Sequence, residues 1–207
     1  MAEPAGQRRT ERGLERLIFF SDAVVAIAIT LIVLPLVDSA RDVGEGSTAE
    51  FLSDNSYALW AAGISFVVIS SFWRDHHSLY ERATGYTPIL VRLNLLWLAG
   101  IVFLPVVTVL DVYSHTRDRL TLGLYVGTIV VVMALLRGQA LILHRAGLLA
   151  DDGGPTAPAA RWAAVGAGLA ALALVLVFPV VGLWSLLLLL LAIPIRRWSH
   201  RHGGRSV

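Results

Sequence analysis

The stretch R-L-I-F-F-S-D-A-V-V-A-I-A-I-T-L-I-V-L-P-L, Arg16–Leu36, decides the fold, because it is apolar enough to cross a membrane yet holds Ser21 and Asp22 inside it. A helix of this length reaches roughly 30 Å, the thickness of a hydrocarbon core. An ionisable group in such a span costs about 2.5–3.5 kcal/mol at the bilayer centre and less near its edge. Asp22 lies about a turn and a half inside the stretch, so its cost is reduced but real, and it needs a partner. On a helix advancing roughly 100° per residue, Arg16 and Asp22 point to different faces and are not a local pair. The partner must come from another span or from water.

The rest of the chain reads the same way. Of 207 residues, 56% are hydrophobic and only 15% charged, with a mean hydropathy of +0.69. A soluble domain carries about 25% charge, and so large an apolar excess has no solvent but lipid. There is no cysteine, which excludes disulfides, thiolate metal sites and a cysteine nucleophile. All 17 Lys+Arg positions are arginine, and the net charge of +2 is too small to argue for nucleic acid. No metal site and no cofactor is expected.

Apolar stretches long enough to span fall in six places: Leu17–Val37, Tyr57–Trp73, Ile89–Leu110, Leu120–Leu136, Trp162–Phe178 and Val180–Ile195. The last two are divided by F-P-V-V-G at Phe178–Gly182, where a proline and a glycine favour a hairpin. The expected class is therefore all-α, a polytopic membrane protein with six transmembrane helices. Arginines set its orientation. Arg8, Arg9, Arg12, Arg16, Arg74, Arg82, Arg92, Arg145, Arg161, Arg196, Arg197, Arg201 and Arg205 fall on one side, against Arg41, Arg117 and Arg119 on the other. The positive-inside rule then places both termini in the cytoplasm. The chain divides into an Arg-rich cytoplasmic N-terminus (1–16), a transmembrane domain (17–195) and an Arg/His-rich cytoplasmic tail (196–207). D-D-G-G-P-T-A-P-A-A, Asp151–Ala160, reads as a linker. The loop Asp38–Ser56 is acidic, either a cation-attracting vestibule or a plain solvated connection. The first apolar run is too long, and too interrupted by Ser21-Asp22, for a cleaved signal peptide.

With an inward N-terminus, Arg16, Ser21, Asp22, His76, His77 and Asn94 share one membrane level and form a candidate polar network tying three spans together. The alternative for the histidines is interface anchoring beside Trp73, and for Asn94 simple interhelical bonding. On another face of the first span, Ile27, Leu31 and Leu34 form a stripe within about 60°, flanked by Thr30 and continued by Arg16, Phe20 and Ala23. Alone, such a stripe is ordinary packing.

R-x-x-x-F-S-D-A-V, continued by A-I-x-x-T-L-I-V-L-P-L, resembles the first-span signature of the transmembrane protein 175 family. F-W-x-x-H-H-x-L-Y at Phe72–Tyr80 and L-N-L-L-W-L with L-P at Leu93–Pro105 resemble its second and third spans. The resemblance covers the first half of the chain. It implies a potassium-selective channel in the cell membrane, a homotetramer of single six-span repeats around a pore lined by the first helix. Potassium would be the permeant species, and self, lipid and potassium the only partners. The family lacks a T-V-G-Y-G filter, as does this sequence, and a hydrophobic constriction takes its place. Mapped by position, the constriction falls on Ile27, with Thr30 or Leu31 and then Leu34 as further layers. Thr30 either offers oxygens to the ion or bonds back to its own helix.

Three other readings compete, the blandest being a polytopic structural or lipid-binding protein. A proton-coupled transporter or proton leak would use Asp22 and His76 as a relay. An intramembrane hydrolase would use Ser21, but Ser21 lacks a G-x-S-x-G setting, and no enzymatic activity is expected. Pro35 is expected to kink the end of the first span.

Overall fold

Pro35 has no amide to give the Leu31 carbonyl, and its ring clashes with that oxygen. The first helix, α1 (Ala5–Leu31), accordingly stops there, and a short α2 (Leu34–Arg41) restarts beyond the turn Ile32–Val33. The turn is closed by a short-range bond from Val33 N to Thr30 O (3.3 Å), and Leu36 N and Val37 N both bond to Val33 O at 3.1 Å. The first apolar stretch is thus two helices in series, broken where the proline demands it. The computed structural model describes residues 5–41, 47–113 and 119–150. The expected fifth and sixth spans and the linker before them lie outside the described residues.

Downstream come α3 (Thr48–Asp54), α4 (Ser56–Tyr80), α5 (Pro88–Tyr113) and α6 (Arg119–Arg145). Four helical segments among the described residues are long and apolar enough to cross a membrane: Glu11–Arg41, Ser56–Tyr80, Pro88–Val112 and Leu120–Arg145. The chain is all-helical there and a multi-pass membrane protein. The acidic connection after the first span is partly helical instead of a simple loop. Ser47 opens α3 with a capping box, its hydroxyl accepting from Glu50 N (3.2 Å) while Glu50 accepts from Ser47 N (2.8 Å), a pairing that satisfies two of the helix's orphan amides. Helix α1 also begins well before the apolar stretch. The Arg-rich N-terminal segment continues the same helix, its Ala, Gln, Arg, Glu and Leu residues being good helix formers that outweigh Gly6, Thr10 and Gly13.

At the α4–α5 turn, Thr87 caps α5 by accepting from Leu90 N (3.2 Å), and Pro88 takes the first helical position, where its missing amide costs nothing. The end of α6 is stopped by Gly147, whose φ of 67° only glycine adopts freely. Leu148 N bonds to Leu143 O (3.0 Å) and Gly147 N to His144 O (3.2 Å), a Schellman motif. The chain leaving α6 then pairs with the α4–α5 turn, through Thr84 N to Leu148 O (3.0 Å) and Ala150 N to Arg82 O (2.9 Å). The same turn presses Tyr86 onto α1 at Gly13, where an added Cβ would lie 2.5 Å from the ring.

The interior lies among α1, α4, α5 and α6, with Val25, Ala28, Ile69, Leu90, Trp97, Ile101, Leu104, Val126 and Leu143 all buried. Helices α5 and α6 approach closely at Gly100, where a Cβ would meet Val132 Cγ2 at 2.5 Å. Val132 is itself fully buried and stiff at χ1, so it has little room to retreat. We expect Gly100→Ala to cost about 1–3 kcal/mol by overpacking, read as a lower unfolding temperature in detergent. Adding Val132→Ala should recover part of that loss; no recovery would locate the strain elsewhere.

Candidate functional site

Helix α1 has two dissimilar faces. Ser21, Val25, Ala28 and Ile32 recur at helical spacing and are buried against the other helices. The opposite face, Phe20, Ala23, Ile27, Thr30, Leu31 and Leu34, is exposed. Ile27 is 59% accessible in the single chain and Leu34 51%. Thr30 does not reach outward: its hydroxyl donates to Ile27 O on its own helix at 2.7 Å, the back-bond open to any helical threonine.

On the packed face a hydrogen-bonded chain crosses the bundle. The Ser21 hydroxyl donates to Leu17 O (2.8 Å) and accepts from Asn94 Nδ2 (2.8 Å). Asn94 Oδ1 pairs with His76 Nε2 at 2.9 Å. A carbonyl oxygen only accepts, so His76 is the donor. The imidazole is held between two rings, Tyr80 and Trp97, each with its centroid 4.3 Å away. Tyr80 continues the chain, donating its hydroxyl to Gln139 Oε1 (2.8 Å). One line of contacts therefore joins α1, α5, α4 and α6 at a single level, and Ser21, His76, Asn94 and Gln139 are all buried along it.

Asp22 takes a separate route. Its carboxylate accepts from Trp73 Nε1 at 2.8 Å, a second tie between α1 and α4. Trp73 stacks on His77 at 5.3 Å, and His77 pairs with Glu81 on its own chain segment at 3.2 Å. His77 thus meets the network only through Trp73. Arg16 is exposed and makes no hydrogen bond or ion pair among the described residues. Of the six polar residues grouped from sequence, Ser21, His76 and Asn94 are bonded in series, Asp22 is tied beside them, and Arg16 and His77 stand apart. Trp73, Tyr80, Trp97 and Gln139 complete the arrangement. Sequence reasoning missed Gln139, although an amide inside an apolar span is the same signal that marks Asn94, whereas the aromatic residues look like ordinary interface anchors.

A second polar group sits at another level. Ser65 Oγ lies 2.7 Å from Thr108 Oγ1 and 3.1 Å from the Tyr125 hydroxyl, joining α4, α5 and α6, and all three residues are buried. Near it, Tyr57 donates to Asp111 Oδ2 (2.6 Å). Neither group resembles a hydrolytic site. Ser21 is engaged at both ends by Leu17 and Asn94, with the imidazole one residue removed, so no nucleophile–base pair exists there.

Residues 16–105 match the family model described as the endosomal/lysosomal potassium channel TMEM175. A chicken (Gallus gallus) protein described as the endosomal/lysosomal proton channel TMEM175 is 38% identical over 112 residues, covering 51% of this chain and 21% of the chicken chain. A potassium channel of Streptomyces collinus is 35% identical over 147 residues, covering 69% of each chain. The chain thus spans about one fifth of the chicken relative and just over two thirds of the bacterial one. The crystal structure of a lysosomal potassium-selective channel TMEM175 homolog from Chamaesiphon minutus aligns with a TM-score of 0.69 at 23% identity, covering 91% of this chain and 98% of that one. At that identity the likeness speaks for the fold.

Asn94 is the member whose loss breaks most bonds. Asn94→Leu keeps the approximate volume but leaves His76 Nε2 without its acceptor and Ser21 without its donor. We expect a loss of about 1–3 kcal/mol, measured as a lower unfolding temperature in detergent. Ser21→Ala, which removes one bond and a small group, should cost less. Equal stability of Asn94→Leu and the unaltered protein would show the chain to be energetically idle.

Proposed function

The chain belongs to the TMEM175 family of endosomal/lysosomal potassium channels, and from that premise we propose that it is an ion channel conducting potassium along a pathway lined by α1. Its relatives are channels and not enzymes. The observation that carries the reading is the bare apolar stripe Ile27–Leu31–Leu34, which no other described helix covers. Four copies meeting about one axis would turn these stripes toward each other. Closed rotational symmetry needs only one repeated interface, and the six-span pattern of the sequence matches a single-repeat, tetrameric arrangement.

The physics of such a pathway is simple. A ring of Ile27 side chains offers a hydrated cation no ligands, so a narrow ring empties of water and blocks the ion. Leu31 and Leu34 lengthen the barrier. Splay or rotation of α1 widens the ring and restores water. Selectivity arises at this constriction without a T-V-G-Y-G segment, and the Thr30 hydroxyl serves the ion only if it leaves Ile27 O. Ser21, Asp22, Trp73, His76 and Asn94 hold α1 in register with α4 and α5 and so set the resting position of the ring. The arginine distribution supports termini in the cytoplasm, with the protein in the cell membrane.

A second reading rests on the chicken relative, described as a proton channel. Protons would then share the pathway, with Asp22 and His76 as the relay. Against it, His76 lies between Tyr80 and Trp97 on the packed side of the bundle, away from the bare face of α1.

Flux and reversal potentials in reconstituted liposomes test the proposal. The unaltered protein should follow the potassium gradient with a Nernst slope; a reversal potential that tracks pH instead would favour protons. Ile27→Ala and Ile27→Asn should each raise flux several-fold and reduce the preference for potassium over sodium. Unchanged flux in both would remove Ile27 from the pathway. Asp22→Ala should alter folding or opening far more than ion preference.

A further inference from the structure

The two polar groups divide the molecule unequally. Measured along α4 and α5, the Ser65–Thr108–Tyr125 group stands roughly 16–21 Å from the Asn94–His76 group, at about 1.5 Å per residue. The same climb along α1 from Ser21 arrives at the Ile32–Val33 break and Pro35. At this far level α4, α5 and α6 are bonded to one another, but α1 is not bonded to any of them. Every polar side chain of α1 and α2 beyond Asp22 is satisfied within its own segment. Thr30 bonds to Ile27 O, Ser39 to Pro35 O (3.0 Å), and Arg41 to Asp38 (3.4 Å). Among the described residues, the side-chain hydrogen bonds from α1 to the rest of the bundle lie at or before Asp22: Asn94 on Ser21 and Trp73 on Asp22.

Apolar packing is a weak fastening here. In lipid, a leucine leaving its neighbours finds hydrocarbon of the same polarity, so helix association depends on close packing and interhelical hydrogen bonds. The residues that seat the far half of α1 and the start of α2 are Val25, Ala28, Ile32 and Leu36, which offer packing alone. The helix is also interrupted at Ile32–Val33, so its end is not stiffened by α2.

We propose that α4, α5 and α6 form a frame locked at two levels, Ser65, Thr108 and Tyr125 being the second lock, and that α1 is clamped to this frame at its N-terminal half only, so that Val24–Leu36 is the part that moves. The frame supplies a fixed reference, and motion is confined to the segment carrying Ile27, Leu31 and Leu34. The arrangement concerns mechanics alone and holds whichever ion passes.

Amide hydrogen–deuterium exchange on the full chain in lipid nanodiscs tests this without reference to flux. In the unaltered protein, amides of Val24–Leu36 should exchange at least about tenfold faster than those of Leu17–Ala23 on the same helix. An apolar ring excludes water while Leu17–Ala23 lies nearer the membrane edge, so faster exchange in Val24–Leu36 reports opening of the backbone. Uniform exchange along α1 would overturn the proposal. In the variant Ser65→Ala, Thr108→Val, Tyr125→Phe, exchange around residues 65, 108 and 125 should rise at least about fivefold, while Leu17–Ala23 stays unchanged. Unaltered exchange around those three positions would show that the hydroxyls lock nothing.

Discussion

The amide of Asn94 is the constraint on which the bundle depends. Lipid tails are as apolar as leucine, so burial alone does not say which helix sits beside which, or at what height. A buried amide does, because it offers a donor and an acceptor in fixed directions and leaving either unmatched is costly. Asn94 gives its amino group to Ser21 on α1 and its oxygen to His76 on α4. Three helices are thereby set in register by one side chain. The stacked rings of Tyr80 and Trp97 then fix the imidazole plane, and Gln139 extends the arrangement to α6.

This placement explains the question raised by Ser21 and Asp22 inside an apolar helix. Neither faces the bare stripe. Ser21 turns into the bundle, and Asp22, a step of about 100° further round, meets the indole of Trp73 at the edge of α4. The polar residues orient α1, and orienting α1 determines which apolar residues are left uncovered. Chemistry on one face thus selects the surface presented by the other. A helix held only by leucines could turn about its own axis at little cost and would present no definite stripe.

What the sequence revealed follows from how costly each residue is to leave alone. Asp22, His76 and Asn94 stand out because an ionisable or amide group in an apolar span demands a partner, and a shared membrane level narrows the choice. The Ser65–Thr108–Tyr125 group gives no such signal. Hydroxyl side chains satisfy themselves on the preceding turn, and Thr108 does so too, bonding to Leu104 O at 2.9 Å. Trp73 and Trp97 read as interface anchors because tryptophan is common there; only geometry reveals one as the partner of Asp22 and the other as a wall of the imidazole slot. Helical arithmetic found the stripe Ile27–Leu31–Leu34, but periodicity cannot say which greasy side a neighbour covers. The break at Ile32–Val33 was legible from Pro35, whereas the extension of α1 back to Ala5 was masked by its charge.

The contact between Gly13 and Tyr86 carries a consequence for how such a chain drifts over generations. With the ring seated on the bare α-carbon, any larger residue at position 13 collides with it, and the turn bearing Tyr86 is stapled to the exit of α6. Position 86 can change first, because trimming its ring only opens space, whereas position 13 cannot. Substitutions at these two positions are therefore coupled, and lineages that acquire a side chain at 13 must already have trimmed the one at 86.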